Sequence, residues 1–468
     1  MFASQKTGKQ FSPSPDMKYS EKYKDCLTFI DSYWDQIIHD PKDSLGDPHI
    51  IPLPHSFLTP NATSHWRNSM FYWDNFFMFR GLINTHREWI ITDVLDNLIY
   101  MFNTFGIIPN ASVWAFLGHS QPPLLTSMIF DAYYSIQRAS GVTELGHNSF
   151  IKHWLESRID VAKKEYESVW MDSERYTHKV EKFDLSRYGD RDVGYGLTSE
   201  RESGWDFTTR FYNRCNDFLP VDLNSYLHKY EKDFAKAANI LGQKEEEKMW
   251  DERADKRRKT IHKHMWNEEK GFFFDYDYVY GKQSEFYSLA GFVPLWGKVA
   301  TYEQALKAKE KLPLFETDYG LTITAEESMP PELYFKHIPE SYRASIEDMM
   351  EPKQWDYPHI WAPLEYLTVI GLLRYGFTQD AVRIMKKAVD ANYAVFKKYG
   401  QLLEKLDATT GEKPKDFWYP SQQGFGWTNG VFYRYVHLLD EIEGKNGKFL
   451  SDARLQKGPP YSLTDIIH

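Results

Sequence analysis

The sequence predicts an all-α protein of about a dozen helices, and three observations carry that prediction. Apolar residues recur at helical spacing in window after window, while only one stretch alternates in the manner of a strand or hairpin. Long loops rich in aromatic residues, Pro and Asp separate those windows. No Gly/Ser linker divides the 468 residues and no fixed-period repeat shows as a motif, so one domain is the better reading. Successive helical hairpins in this number are compatible with a double ring of helices.

In order, residues 1–15 read as an N-terminal tail, 16–455 as the single domain and 456–468 as a C-terminal tail. Tyr23, Leu27, Ile30, Tyr33 and Ile37 share one face of a helix over 18–39. A long Pro- and Asp-rich loop follows, and loops of that length inside a compact domain are usually functional or disordered. Helices are expected at 72–86, 89–105, 124–139 and 150–170, then at 222–242 and 245–266. GFFFDYDYVYGKQ, from Gly271, is the alternating stretch. Further helices are expected at 285–295, 301–312, 361–375, 379–397 and 427–439.

Composition narrows the function. A net charge of −10, with the densest basic run (253–263) inside a mixed-charge helix, argues against nucleic-acid binding. Cys26 and Cys215 are the only cysteines and lack metal-type spacing, so neither a disulfide framework nor a metal site is expected. No window is long enough to span a bilayer, and the polar N-terminus lacks a signal-peptide core, so a cytoplasmic location without membrane partners is expected. Aromatic residues reach 16%, and flat rings suit the apolar C–H faces of sugars.

The stretch RESGWDFTTRF is where chemistry is expected. Glu202 and Asp206 are four apart and would share a face if the segment were helical. A carboxyl beside the indole of Trp205 and the permissive Gly204 suits a general acid, because an apolar wall raises its pKa. Five other stretches join it: FYWDNFF with Trp73 and Asp74, and IPNASVWAFLGHSQPPLL with Asn110, His119 and Gln121. The remaining three are QWDYPHIWAP with Gln354 and Trp355, LLEKLD with Glu404, and YPSQQGFGWTNG with Gln422 and Trp427. Trp–Asp pairs fit sugar recognition, the ring stacking on a sugar face while the carboxylate accepts hydroxyl protons.

YWDNFF, IPN followed by HSQPPLL, RESGWDF, VDLNSYL, QWDYPHIWAP, LLEKLD and GFGWTNG occur in the order shown by the trehalase family, glycoside hydrolase family 37. The chain resembles that family over nearly its whole length. The resemblance implies an (α/α)6 barrel with a pocket formed by loops at one end, no cofactor, and inverting hydrolysis of a small α-glucoside by two carboxylates and a water. Asp206 matches the family's general acid and Glu404 its general base. Trp73, Asp74 and Asn110 match sugar-contacting positions, and Gln354 and Trp355 match the wall of the inner subsite. Inversion needs room for the water, so the two carboxyls are expected about 6.5–9.5 Å apart.

The chain also departs from the family. Trp66, His119 and Trp418 stand where the family carries two arginines and a glutamate that bind sugar hydroxyls. An arginine has five donors in a fixed fork and a tryptophan one, so hydroxyl recognition differs. Arg187, Arg191 and Arg201 are candidate replacement cations. The expected substrate is trehalose or a related disaccharide, with kojibiose and glucosylglycerate as alternatives. A non-catalytic sugar-binding protein, and a lyase or epimerase using His119, are the other readings open at this point.

Overall fold

A computed structural model describes residues 18–64, 66–140, 149–189, 197–328, 353–415 and 420–447. Both expected tails, Arg191 and Trp418 lie outside the described residues. The helices in chain order are α1 (Lys18–Lys22), α2 (Lys24–Ile37), α3 (Tyr72–Phe79), α4 (Ile90–Phe105), α5 (Leu125–Ala139), α6 (Ser149–Glu165) and α7 (Leu197–Glu202). They continue as α8 (Val221–Leu241), α9 (Lys244–Met265), α10 (Val293–Trp296), α11 (Tyr302–Lys309), α12 (Ala362–Arg374), α13 (Thr378–Tyr399) and α14 (Gly426–Gly447).

Six of these close a ring. α3 packs on α5, α5 on α8, α8 on α10, α10 on α12, α12 on α14, and α14 returns to α3. Their sequences explain the position: α3 buries all eight of its residues and α12 buries every residue from Pro363 to Leu373, as helices apolar nearly all round must. The outer helices carry a narrow apolar stripe. α9 buries only Trp250, Ala254, Arg257, Ile261 and Met265, at three- and four-residue spacing, and lies along α8. α4 and α6 pack on α5, α13 on α12 and α14, and α2 on α14. This double ring is the (α/α)6 barrel that the family resemblance implies.

Boundaries moved where tertiary contacts compete with local periodicity. The helix expected over 72–86 stops at Phe79, and the chain turns through Asn84 at a φ of 66°. The helix expected over 285–295 is largely absent: Ser288 is extended, a 3-10 turn covers Leu289–Phe292, and only Val293–Trp296 is α-helical. There the backbone is held by strand-like bonds across to Ile323 and Tyr287–Ala325. The alternating stretch after Gly271 does form short strands, Phe272–Phe273, Tyr276–Asp277 and Lys282–Gln283. Cys26 and Cys215 are both buried and free. No helix among the described residues is long and apolar enough to cross a membrane.

The ring closes at a backbone-to-backbone approach. A Cβ added at Gly430 of α14 would lie 2.4 Å from the carbonyl oxygen of Phe77, and one added at Gly81 would lie 2.9 Å from the Cα of Gly430. Gly430→Ala must therefore part α3 from α14. The expected cost is about 1–3 kcal/mol, read as a lower urea midpoint at unchanged m-value.

Candidate active site

A cavity of about 400 Å³ opens among the loops that lead into the N-terminal ends of the inner helices. It gathers eleven of the residues singled out from the sequence: Trp73, Asp74, Asn110, His119, Gln121, Gly204, Asp206, Trp355, Glu404, Gln422 and Trp427. They come from six separate segments of the chain.

The segment carrying Asp206 is not helical. α7 ends at Glu202, and Gly204 turns the chain at a φ of 76°, so Glu202 and Asp206 do not share a helix face. A Cβ at Gly204 would come 2.7 Å from Cζ2 of Trp73, so the glycine lets this loop press on the indole. Glu202 points away and is fully buried. It accepts hydrogen bonds from the backbone N–H groups of Ser120 (2.9 Å) and Gly189 (2.8 Å) and lies 2.8 Å from Nε2 of His178. It therefore ties three loops together at the cavity's edge.

The QWDYP motif grips the Asp206 segment from the other side. Gln354 Nε2 donates to the Asp206 carbonyl (2.5 Å) and the Trp355 N–H donates to the Phe207 carbonyl (3.0 Å). Asp356 accepts from Thr208 Oγ1 (2.8 Å) and from the N–H of Thr209 (3.0 Å) and Lys353 (2.8 Å). Further along the chain, Arg210 is wholly buried, forked between Asp222 and Asp275 at 2.7–2.9 Å, and lies over the Trp205 ring at 4.6 Å. Asp206 thus sits on a backbone fixed at both ends.

Glu404 reaches the cavity from a different element, just before the strand Lys405–Asp407, which pairs antiparallel with His359–Trp361. Its N–H donates to the Gln422 carbonyl (2.9 Å), and its own carbonyl accepts from Nε1 of Trp427 (3.0 Å). Those contacts join LLEKLD to the SQQGFGWTNG segment. Lys405 is buried beside it, with Nζ 3.8 Å from Glu404 Oε2, 3.2 Å from Gln354 Oε1 and 4.7 Å from the Trp361 ring centre. Without the family resemblance Glu404 reads as an exposed helix-end residue; it is instead 3% exposed and not helical.

Three carboxyl groups face this space, and their charges interact. Burial pushes Asp206 up to about 7, with the charge of Glu404 adding to the rise, against the opposing effects of its own backbone N–H, Arg201 and Lys405. Burial holds Asp74 well above the carboxylate range, and both Glu404 and Asp206 reinforce it. Burial thus favours the protonated form of both Asp206 and Asp74, and the charge of Glu404 adds to each rise.

The floor is a tryptophan cluster. Trp355 and Trp361 stack at 3.9 Å between centres and 7° between planes, while Trp73 and Trp427 lie 5.8 and 6.3 Å from Trp355. The rim is aromatic too. Trp66, the position of a family arginine, contacts Phe71 (5.7 Å) and Phe116 (5.5 Å), and Phe116 contacts His119 (5.5 Å). The exposed Arg201 also lines the cavity, over the ring of Phe207 at 5.8 Å.

Three expected residues do not line the cavity. Arg187 spends its donors on Thr177 and the Asn216 carbonyl, bracing two loops. Trp205 is fully buried between Arg210 and Trp355. Gln354 is buried beneath the floor, where it holds Asp206 and Lys405. Conversely Pro60, Phe71, Phe116, Trp361 and Phe425 line the cavity without having been singled out. Phe71, Phe116, Trp361 and Phe425 lie inside the motifs quoted above, which was their available signal; Pro60 had none. Among the described residues no group of three or more His, Cys, Asp or Glu is arranged to hold a metal ion.

The trehalase family model matches residues 4–195 and 195–442. The neutral trehalase Nth1 from Saccharomyces cerevisiae is similar at 27% identity and a TM-score of 0.69, over 82% of this chain and 73% of that one. A GH63 mannosylglycerate hydrolase from Thermus thermophilus, solved in complex with glucose, shares the fold at 16% identity and a TM-score of 0.61, over 88% of this chain and 99% of that one.

The grip of Asp356 on the Asp206 segment is testable without any substrate. Asp356→Ala leaves the Thr208 hydroxyl and the Thr209 N–H without their acceptor. Deuterium exchange in peptides spanning 204–212 is expected to accelerate, with a stability loss of about 2–4 kcal/mol.

Proposed function

Because the chain belongs to the trehalase family and is a glycoside hydrolase, we propose that it cleaves a small α-linked glucoside with inversion, trehalose being the first substrate to test. Asp206 is the general acid. Its proton passes to the glycosidic oxygen as the bond to the anomeric carbon breaks. Glu404 is the general base. It takes a proton from the water that attacks the opposite face, and the product is the β-anomer. One proton exchange with solvent from each carboxyl resets the pair.

The observation that carries this reading is that Asp206 and Glu404 enter one cavity from different elements in unlike surroundings. Asp206 is pushed up to about 7 by burial, which suits a donor, while Glu404 has the buried ammonium of Lys405 beside it, which suits an acceptor. The tryptophan floor offers stacking surface for the glucosyl ring, and Asp74, Asn110 and Gln121 supply polar atoms around it. The rim supports a second reading of the substrate. With Trp66, Phe71 and Phe116 lining the cavity together with Arg201, the aglycone half differs from a site built on arginines, which favours another α-glucoside such as kojibiose or glucosylglycerate.

NMR of the first product released from a panel of α-linked glucosides should show the β-anomer; initial release of the α-anomer would contradict inversion. Asp206→Asn and Glu404→Gln should each lower kcat by about 10²–10⁴ while the fold is retained. The acid must be protonated to act, so kcat/KM should fall as pH rises through about 7, and Asp206→Asn should abolish that limb.

A further inference from the structure

The barrel carries a second, larger cavity at its other end. α3 shows the separation: Trp73 and Asp74 in its first turn face the catalytic cavity, whereas Arg80, just past its last residue, lines a small cavity of about 80 Å³ together with Lys229 and Arg374. Six to seven residues of rise along α3 set these apart by about 9–10 Å. Lys229 and Arg374 also line the larger cavity, of about 840 Å³, which shares no lining residue with the catalytic one.

Its lining is cationic in a chain of net charge −10. Lys229, Lys232 and Lys236 project from one face of α8 at three- and four-residue spacing, Arg258 comes from α9, Lys298 follows α10 and Arg374 ends α12. Six cationic side chains thus stand against four acidic ones, Asp233, Glu247, Asp251 and Asp255. Three of the cations have acidic partners: Lys229 pairs with Asp233, Lys232 with Asp251 and Arg258 with Asp255. His228 does not add charge, because burial pushes it down to about 3 and its Nδ1 lies 3.0 Å from the Gly297 carbonyl.

Lys298 is different. It is exposed toward the cavity and has no acidic partner among the described residues. It also holds the left-handed position after α10, at a φ of 53°, with its N–H on the Leu295 carbonyl and the Val299 N–H on the Pro294 carbonyl. Glycine is the residue that occupies this position without strain, so the fold carries an ammonium here where local conformation favours none. Partial desolvation along the cavity wall, and then the charges of Arg374, Lys229, Lys236 and Lys232, press Lys298 down to about 8. Burial and the neighbouring cations press Lys229 to the same value against the pull of Asp233. A dianion would relieve that repulsion.

We propose that this cavity binds a small phosphate-bearing molecule, with Lys298 as a principal anchor and Arg374, Lys236 and Lys229 around it. The site is distinct from the glycoside cavity and does not rest on the substrate assigned there.

Calorimetric titration of the full chain with inorganic pyrophosphate, at ionic strength held constant with chloride, tests the proposal. Saturable 1:1 binding and a rise in Tm are expected. Lys298→Gly should weaken that binding at least about tenfold while leaving thermal stability equal or higher, because glycine suits the backbone there. Turnover of the glycoside by this variant should be unchanged. The proposal is overturned by any of three results: no saturable heat, equal affinity in Lys298→Gly, or displacement by chloride as effective as by inorganic phosphate.

Discussion

The Arg210 guanidinium, wholly buried and forked between Asp222 and Asp275, is the contact on which the functional end of the barrel depends. Taking one cation and two carboxylates out of water costs several kcal/mol per ion, and only near-complete pairing recovers it. Here all four bonds are made. Asp275 also accepts the N–H of Val221 at 2.9 Å, so the same group caps the start of α8. Three segments distant in sequence, the loop after Asp206, the first turn of α8 and the strand region near Phe274, can therefore occupy one arrangement only. Losing one partner leaves the others charged and dry, which makes the arrangement all-or-none.

That rigidity serves the electrostatics of the cavity. Asp206 lies upstream of Arg210, on a backbone whose carbonyls and amides are held by Gln354, Trp355 and Asp356, so the side chain has little freedom to escape its neighbours. Burial then raises Asp74 and Asp206, and the charge of Glu404 adds to both. Lys405 offsets some of the negative charge from below. A flexible loop would let the carboxyls reach water and lose the rise that burial gives Asp74 and Asp206.

The rim obeys a different logic. Trp66, Phe71 and Phe116 contact one another by ring edges and faces, a surface that recognises shape and apolar area rather than a pattern of hydroxyls. Floor and rim are thus built from the same residue type for opposite reasons. The floor is dry and fixed by stacking, as in Trp355 on Trp361, whereas Trp66 is 36% exposed.

Sequence by itself determined the helical architecture and much of the cavity's lining, because both are written in short-range signals: periodicity for the ring, and ordered motifs for Trp73, Asn110, Asp206, Trp355, Glu404 and Trp427. The motif carrying Asp206 was legible, but the role of its neighbour was not. Glu202 looked like half of a carboxylate pair, and only the folded chain turns it toward Ser120, Gly189 and His178. Arg187 likewise looked like a free cation until Thr177 and Asn216 took its donors. The helix expected over 285–295 failed for the same reason, since bonds to residues more than thirty positions away outweigh local spacing. What tertiary structure alone decided was the use of each polar group. A hydrogen bond or a buried charge needs its partner within a few ångströms, and the partners here lie tens to hundreds of residues apart.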